Sequence, residues 1–314
     1  MNKAIVKSFS FPEGDIRGDM FYIKHCNGTF TIIDCYLKKE TEINGRQSEI
    51  LTEIKSLSKC CDVQRFISTH PDQDHIEGLE ILNREWPIQN FYSVPNNKKA
   101  EHGNSSLDEY IRLRKSTSNY IIKQDVERYW LNQSNSERNS SGINFLWPDL
   151  KNAKFIAAQK SVEQGGSPNN ISPVFTYSVK NSATIMWMGD MLSDMQKEFY
   201  EQCWQKLSKI DILFHPHHGR DTSKIPSELL DILDPSLIII GNAPAKDLNY
   251  SNSCKTITQN TAGDILLVIE EKKVHVYTQN KIDNKPDTLI CDYEYAMCNL
   301  EYFNCKYLGT LKLI

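Results

Sequence analysis

The chain has 314 residues, a formal net charge of -4 and nine cysteines. This length allows a sizeable core in one large or two smaller domains, and the acidic balance argues against a protein that coats nucleic acid by electrostatics alone. The scattered, odd-numbered cysteines lack a CxxC pair, which argues against a disulfide framework or a thiolate zinc site. A signal peptide and an apolar run that could cross a bilayer are also absent from the sequence, so we expect a soluble, cytoplasmic protein.

The first third of the chain alternates strand and helix patterns. The predicted elements are strands at 20–24 and 30–35, a helix at 48–58, a strand at 63–69, a helix from His75 to about Trp86 and a strand at 90–94. The Asn27-Gly28 pair between the first two strands favours a tight hairpin turn. The later segments follow the β-α-β alternation of a sheet covered by helices.

Residues 97–140 interrupt this pattern, because they are polar and carry a helical pattern from Tyr110 to Trp130. We predict that they form a helical insertion. Further strands are predicted at 143–147, 173–179, 184–188, 210–214, 236–240, 264–269 and 273–278, with helices at about 192–207 and 226–233. Many strands with a few covering helices predict two packed sheets with helices outside.

The most informative segment follows the strand at 63–69 and reads His70-Pro71-Asp72-Gln73-Asp74-His75. Its His and Asp residues stand at offsets 0, 2, 4 and 5, and side chains at these offsets converge on one point only in a turn just after a strand. This spacing is typical of a metal site. Imidazole and carboxylate suit Zn²⁺, Mn²⁺ or Fe, and a carboxylate can bridge two ions so that a shared water becomes a nucleophile. The alternative is a polar turn that caps the helix beginning at Ile76, although capping needs only one such residue.

Two further turns carry ligand-type residues at predicted strand ends, Met188-Gly189-Asp190 and His215-Pro216-His217-His218-Gly219. The alternatives are an N-cap role for Asp190 and a surface turn with one satisfied histidine for the second segment. Because strand ends at one edge of a sheet line one crevice, three such turns favour a shared site. We expect at least one of His217 and His218 to bind metal, and a neighbour to protonate a leaving group.

The order of the HPDQDH, MGD and PHHG turns resembles that of the metallo-β-lactamase superfamily of metallohydrolases. The residues within these motifs are most similar to those of the hydrolase domain of bacterial DNA-uptake channels of the ComEC type. Further matching segments are Gly18-Asp19, Ile32-Ile33-Asp34, Phe145-Leu146-Trp147-Pro148, Asn169-Asn170-Ile171-Ser172 and Thr261-Ala262-Gly263-Asp264-Ile265. The resemblance implies an α/β fold, the metallo-β-lactamase-type αββα sandwich, with two mixed sheets and outer helices. We expect residues 1–278 to form this hydrolase domain and residues 279–314 to form an extension packed on it.

The resemblance also implies roles for the ligand-type residues. The implied roles are His70 and Asp72 in one metal position, Asp74 and His75 in the other, Asp190 as the bridge, and His217 or His218 completing the second position. Asp72 stands where a second histidine is usual, which makes the first position harder and more tolerant of Mn²⁺. The superfamily pattern also has a third histidine between the first turn and Asp190. The only histidine there is His102, which lies in the predicted helical insertion, so this ligand is missing.

Arg220 follows the PHHG turn where the DNA-uptake branch usually has Ser, and a positive side chain beside the metals would suit a phosphate. We expect Arg220 and Asn170 to contact the substrate. Within residues 97–138, eight Lys and Arg stand against six acids, which is typical of a solvated face or of a groove for nucleic acid. The densest basic cluster is Arg112, Arg114 and Lys115, which we expect to supply phosphate contacts near the mouth of the site.

We predict a metal-dependent hydrolase that uses one or two Zn²⁺ or Mn²⁺ ions and a metal-bound hydroxide near Asp74, with His217 assisting the leaving group. The resemblance and Arg220 favour a phosphodiester in DNA, RNA or a nucleotide, which is the substrate of a nuclease or phosphodiesterase. A hydrolase of a thioester, lactone or amide is the first alternative, because loops rather than fold decide the substrate. The second is a catalytically degenerate partner protein that binds through residues 97–140 or 279–314.

Overall fold

The computed structural model of the chain describes residues 3–11, 18–38, 45–244 and 253–313. Its strands are β1 (Ala4–Ser8), β2 (Phe21–Lys24), β3 (Thr29–Ile33), β4 (Cys35–Tyr36), β5 (Val63–Ile67), β6 (Asn90–Ser93), β7 (Asn119–Ile121), β8 (Ile143–Trp147), β9 (Val174–Ser178), β10 (Thr184–Trp187), β11 (Ile212–Phe214), β12 (Leu237–Ile240), β13 (Thr256–Thr258), β14 (Ile265–Glu270), β15 (Lys273–Thr278), β16 (Leu289–Ile290), β17 (Glu301–Tyr302) and β18 (Cys305–Lys312). Its helices are α1 (Arg46–Ser58), α2 (Gln73–Ile76), α3 (Leu79–Glu85), α4 (Ser105–Arg114), α5 (Ala153–Glu163), α6 (Ser193–Cys203), α7 (Ser227–Leu233), α8 (Gln259–Ala262) and α9 (Tyr293–Cys298).

Two mixed sheets contain nearly all of these strands. The larger has the order β16-β18-β15-β14-β1-β2-β3-β5-β6-β7, with β17 paired to β18, and the smaller has the order β13-β12-β11-β10-β9-β8. Strands β3, β5, β6 and β7 are parallel neighbours, and so are β10, β11, β12 and β13. Each sheet therefore brings the carboxyl ends of several strands to one edge, where loops can assemble a site.

Alternation along β1 separates two hydrophobic cores. Val6 lies in the core between the sheets, whereas its neighbour Ile5 lies in a second core with the apolar faces of α1, α3 and α4. Across the sheets, the rings of Phe21 and Phe214 meet edge to face with centroids 5.0 Å apart. The larger sheet is thus buried on both faces, as its near-continuous apolar strands require.

The outer face of the smaller sheet is covered in the same way. Trp147 of β8 contacts Phe155 of α5 and Phe199 of α6, with ring centroids 6.0 and 6.2 Å apart. Each such aromatic side chain contributes about 1.5–3 kcal/mol through burial. The layers are therefore helix, sheet, sheet and helix, so the predicted metallo-β-lactamase-type αββα sandwich is confirmed.

The continuous helix predicted from His75 to Trp86 is wrong, because the chain leaves the helix between α2 and α3. Gly78 there has φ 72°, and a Cβ on it would lie only 2.0 Å from the carbonyl oxygen of Leu37. The Leu37 amide also donates to the carbonyl of Glu77 at 2.7 Å. This close approach, which only glycine allows, ties the HPDQDH turn to the end of β4.

The helical insertion predicted at 97–140 is also corrected. Only α4 is helical there, and Tyr120 and Ile121 lie in β7, which pairs in parallel with β6. The segment continues the β-α-β alternation to the edge of the larger sheet instead of interrupting it. Residues 279–313 hold β16, α9, β17 and β18, and β18 pairs antiparallel with β15. Among the described residues, no helix is long and apolar enough to cross a membrane.

Candidate metal centre

Three polar turns meet at one edge of the sandwich because each follows a strand that runs toward that edge. The HPDQDH turn at 70–75 follows β5 of the larger sheet, Asp190 follows β10 of the smaller sheet, and His217 and His218 follow β11. The amide of His217 donates to the carbonyl of Gly189 at 3.0 Å, which fastens the second turn to the third. The sheets thus bring together residues that lie more than a hundred positions apart in sequence.

The centre of this edge holds a tight cluster of two imidazoles and two carboxylates. Asp19, His75, Asp190 and His218 each offer one ligand atom, and these atoms lie within 4.8 Å of one another. Asp190 Oδ1 lies 3.3 Å from His75 Nε2, and Asp190 Oδ2 lies 3.8 Å from His218 Nε2. Ligands that share one ion at about 2.1 Å in a tetrahedron lie about 3.4 Å apart, so this spacing fits a metal ion.

Two more histidines, His70 and His217, lie near Asp190. Its Oδ2 lies 3.9 Å from His70 Nε2 and 3.8 Å from His217 Nε2. Asp72 Oδ2 lies 3.9 Å from the same His70 nitrogen. The two oxygens of Asp190 therefore face ring nitrogens of four histidines, with His75 beside Oδ1 and His70, His217 and His218 beside Oδ2.

The capping alternatives receive no support from the structure. Asp72 occupies the N-cap position of α2, but its side chain makes no capping hydrogen bond. The N-cap of α6 is Leu192, two residues after Asp190. The carboxylates of these two turns are therefore directed to the cluster rather than used to begin a helix.

Asp34 orients His75 from behind. Its Oδ2 lies 2.9 Å from His75 Nδ1 and accepts the hydroxyl of Thr69 at 2.6 Å, while its Oδ1 accepts the Thr69 amide at 2.7 Å. When Nδ1 of His75 donates to this carboxylate, the lone pair of Nε2 points into the cluster. A carboxylate behind a histidine is the usual support of a metal-binding imidazole.

His70 and His217 are held by hydroxyl groups. His70 Nδ1 lies 3.0 Å from Thr69 Oγ1 and 3.4 Å from Ser172 Oγ, and the same Ser172 oxygen accepts the amide of Asp190 at 3.1 Å. His217 Nδ1 lies 3.0 Å from Ser223 Oγ. Both rings thereby present Nε2 toward the shared carboxylate, with their rotation fixed.

The pKa shifts of the histidines separate them into two kinds. Burial holds the pKa of His70 well below its ordinary value and also lowers the pKa of His217, so both rings are neutral at pH 7, which is the form that binds metal. Burial lowers the pKa of His75 as well, but the charges of Asp190 and Asp34 outweigh it and raise that pKa well above the ordinary value. A proton thus occupies His75 where a cation would otherwise balance the carboxylates.

The carboxylates divide in a corresponding way. Burial would raise the pKa of Asp190, but the neighbouring His75 and His218 outweigh it and hold that pKa well below the ordinary value. Burial and the charge of Asp74 raise the pKa of Asp72 to about 6. Asp190 is therefore the permanently charged group at the centre, as a bridging ligand must be.

Several buried polar atoms in this cluster have no hydrogen-bond partner. They are Nε2 of His70, Nε2 of His75, both ring nitrogens of His218 and Oδ1 of Asp190. Leaving such an atom unsatisfied costs about 1–3 kcal/mol. Because one ligand atom each from Asp19, His75, Asp190 and His218 lies within 4.8 Å of the others, the residues fit a divalent cation.

The backbone of the PHHG turn is strained in a way that directs both histidines inward. His217, His218 and Gly219 have φ of 50°, 53° and 75°, all in the left-handed region. That region costs a non-glycine residue about 1–2 kcal/mol, and such strain persists where function requires it. A Cβ on Gly219 would lie 2.7 Å from Cγ2 of Ile240, so glycine is required there by contact as well as by conformation.

The two residues expected at the substrate differ in their surroundings. Arg220 Nη1 lies 3.2 Å from His217 Nε2, at the rim of the cluster. Asn170 instead accepts the amide of Leu192 at 3.1 Å and thus holds the turn after Asp190. Its neighbour Asn169 lies closer to the centre, with Nδ2 3.4 Å from His217 Nε2.

Sequence reasoning assigned no site role to Asp19 or Asp34. Asp19 precedes β2, which runs antiparallel to β3, so the start of β2 lies at the same edge as the end of β3, where Asp34 follows. The amide of Asp19 donates to the carbonyl of Asp74 at 3.0 Å, and His218 Nδ1 lies 3.5 Å from Asp19 Oδ1. The signal for both was an aspartate at the end or start of a predicted strand, as for Asp190.

No family model and no curated protein matches this chain. Among solved structures it is similar to CmlA, a diiron β-hydroxylase from Streptomyces venezuelae, with a TM-score of 0.41 and 10% sequence identity over 81% of this chain and 48% of that chain. The chain thus spans about half the length of that protein. A similarity of this size carries no argument about the reaction, which has to come from the site itself.

Proposed function

We propose that this protein is a metal-dependent hydrolase of phosphodiesters, in nucleic acid or in a nucleotide. The observation that supports it is the set of buried, unpartnered imidazole nitrogens around Asp190, a carboxylate whose two oxygens face four histidines. The sequence resemblance to metallo-β-lactamase-type hydrolases, and to their DNA-uptake branch, points to the same chemistry.

Asp19, His75, Asp190 and His218 would hold one ion, and His70 and Asp72, with Asp190, would hold a second. A bound divalent ion supplies Lewis acidity, lowering the pKa of water and drawing charge from a phosphoryl oxygen. Asp34 fixes His75 in the tautomer that leaves Nε2 free. The mixture of nitrogen and oxygen ligands suits Zn²⁺ or Mn²⁺.

Two side chains at the edge of the cluster are left for proton transfer. Asp74 has a side chain that is 31% exposed and an Oδ2 that lies 3.9 Å from His218 Nε2, so its carboxylate can accept a hydrogen bond from the attacking water. His217 is neutral at pH 7, because burial lowers its pKa, and can take up a proton and deliver it to the leaving oxygen.

Arg220 is the reason for preferring a phosphodiester. Its guanidinium lies beside His217 at the rim, and it forms no ion pair with a carboxylate among the described residues. Such a group offers paired donors to two phosphoryl oxygens and recognises a phosphodiester better than a neutral ester or amide.

The test of the metal centre uses His75→Ala with His102→Ala as its matched control, because His102 is exposed and lies in a loop after β6. We expect His75→Ala to lose bound Zn²⁺ or Mn²⁺ by elemental analysis and to lower hydrolysis of bis(p-nitrophenyl) phosphate by more than about a hundredfold. His102→Ala should match the wild type in both. A folded His75→Ala variant with near wild-type turnover would contradict the proposal.

The substrate class is tested with Arg220→Ala and its control Lys224→Ala, which removes the same charge from an exposed position nearby. We expect only Arg220→Ala to raise KM for bis(p-nitrophenyl) phosphate, by about tenfold. Wild-type protein should turn over this phosphodiester faster than p-nitrophenyl acetate or a simple lactone. The reverse preference would assign the site to ester or amide hydrolysis.

A further inference from the structure

A polar groove lies beside the metal centre, at the carboxyl ends of β6 and β7. Its volume is about 450 Å³, and its walls include Asn97, Arg114, Ile121 and Ile156, with Gln159 and Lys160 of α5. Because β5, β6 and β7 are parallel neighbours about 4.8 Å apart, the groove begins about 5–10 Å from the HPDQDH turn that follows β5. The groove therefore opens on the same edge of the sheet as the metal centre.

The positive charges of the groove are not neutralised by contacts within the protein. Arg114 donates to Asn96 Oδ1 at 2.6 Å and to the carbonyl of Lys98 at 3.3 Å, which holds the guanidinium in place without a carboxylate among the described residues. Lys160 likewise forms no ion pair in the described part of the chain. One acid, Glu163, also lines the groove, where it accepts a hydrogen bond from Asn97 at 3.5 Å.

Contacts at both ends connect the groove to the metal centre. At one end, the loop that holds Asn97 runs on to Asn104, whose Nδ2 donates to Oε1 of Gln73 in the HPDQDH turn at 2.8 Å. On the opposite wall, α5 contacts the short helical turn Asn169–Ile171, and Asn169 lies 3.4 Å from His217. A polymer that crosses the metal centre can therefore continue into the groove.

The chemistry of the walls matches a nucleotide. Arg114 and Lys160 provide two cations for phosphate, and the amide oxygens of Asn97 and Gln159 are acceptors for a base edge. Ile121, which is 42% exposed, and Ile156 give an apolar surface on which a base can lie. A positively charged groove that follows the backbone is a general feature of sites for single strands, and here aliphatic side chains take the place of the usual aromatic ones.

We propose that this groove binds the nucleotide next to the scissile phosphodiester of a single-stranded nucleic acid. The proposal rests on the function proposed above and makes it more specific, because a single phosphodiester does not need this groove. It also separates the basic residues of 97–140 by role. Arg114 lies in the groove, whereas Arg112 is held in a bidentate pair by Glu109 at 2.7 Å on the exposed side of α4.

Binding is tested by fluorescence anisotropy of fluorescein-labelled dT8 with the metal-free protein in EDTA. We expect Arg114→Ala and Lys160→Ala each to weaken binding about five- to tenfold and to reduce the salt slope by about 0.7. Two controls remove the same charges from the same helices outside the groove, Arg112→Ala and Lys154→Ala, and should stay within twofold of wild type. The side chain of Lys160 makes no hydrogen bond among the described residues, so its variant tests binding without disturbing the fold.

The cleavage of bis(p-nitrophenyl) phosphate separates this proposal from the proposed function. Unchanged turnover of this small ester by Lys160→Ala, together with weaker dT8 binding, supports both. Equal binding by groove and control variants, or no binding of dT8 by the wild type, overturns the groove while leaving the hydrolase intact. Groove-dependent binding without any hydrolysis by metal-loaded wild type overturns the hydrolase and leaves the groove as a binding site for single strands.

Discussion

Replacing Asp34 by Asn is the sharpest perturbation of the metal centre, because it changes one atom and leaves the shape of the side chain. Asp34 Oδ2 lies 2.9 Å from His75 Nδ1 and accepts the hydroxyl of Thr69 at 2.6 Å. The Thr69 amide still needs Oδ1 as its acceptor, so the new NH₂ group must take the position of Oδ2. His75 Nδ1 then has to accept, which moves the ring proton to Nε2.

The magnitude follows from the tautomer. Nε2 of His75 is the atom that lies 3.3 Å from Asp190 in the cluster, and a protonated Nε2 offers no lone pair to a cation. Loss of such a supporting carboxylate typically weakens metal binding about 10–100-fold, which corresponds to about 1.4–2.7 kcal/mol. We expect Asp34→Asn to fall in this range.

The assay is the apparent Kd for Zn²⁺, measured by competition with a fluorescent chelator, together with the ring tautomer from long-range ¹H–¹⁵N NMR spectra. The control is Asp211→Asn, because Asp211 also accepts a backbone amide, that of Thr184 at 2.7 Å, but contacts no residue of the cluster. Zinc affinity within twofold of wild type, or a His75 ring still protonated at Nδ1, would refute the reasoning.

Three further perturbations test the histidine roles, the strained turn and the buried charge balance. His218→Ala should remove bound metal, because His218 alone of the two has both ring nitrogens without a hydrogen-bond partner. His217→Ala should retain the metal and flatten the pH–rate profile. Equal metal loss in the two variants by elemental analysis would contradict this division. Gly219→Ala should lower the free energy of unfolding by about 1–3 kcal/mol more than Gly165→Ala, because both glycines have positive φ but only a Cβ at 219 would meet another side chain. Equal losses in denaturant titrations would show that the contact with Ile240 costs no stability. Burial and the charge of Arg65 hold the pKa of His25 well below its ordinary value, so the folded state resists a proton that the unfolded chain accepts below about pH 6.5, and stability falls by about 1.4 kcal/mol per pH unit below that value. His25→Gln should therefore lose about 2 kcal/mol less than wild type between pH 7 and pH 5, and identical pH dependence of the two unfolding curves would count against it.

The parts of the fold that the sequence predicted are those with a strong local signal. The apolar run 63–69 followed by HPDQDH corresponds to β5 and its turn, and the MGD and PHHG turns do follow β10 and β11. Strand β7 was missed because three half-exposed residues next to a helical pattern show no period of their own. It exists because β6 offers a free parallel edge, which is a tertiary property.

The site divides in the same way. Three ligand-bearing turns could be predicted because each ends its own strand, but Asp19 joins the cluster only through the antiparallel pairing of β2 with β3. The positions of the His217 and His218 side chains likewise depend on backbone geometry that sequence spacing does not predict, since both residues adopt left-handed φ. The side-chain oxygen of Asn170 accepts the amide of Leu192, and its expected contact with the substrate stays a prediction.

The charge balance of this edge can be compared for one bound ion and for two. Five carboxylates, those of Asp19, Asp34, Asp72, Asp74 and Asp190, lie at or directly behind this edge, while burial keeps His70 and His217 neutral. Burial raises the pKa values of Asp19, Asp34 and Asp72, and the charges of Asp190 and Asp34 outweigh burial and raise that of His75, so protons take the place of cations when no metal is bound. One divalent ion would leave three negative charges at this edge, whereas two would leave one, with the guanidinium of Arg220 at the rim to offset it. Two ions would therefore come closer to charge balance, and because loading would release the protons of these groups, we expect metal affinity to rise with pH.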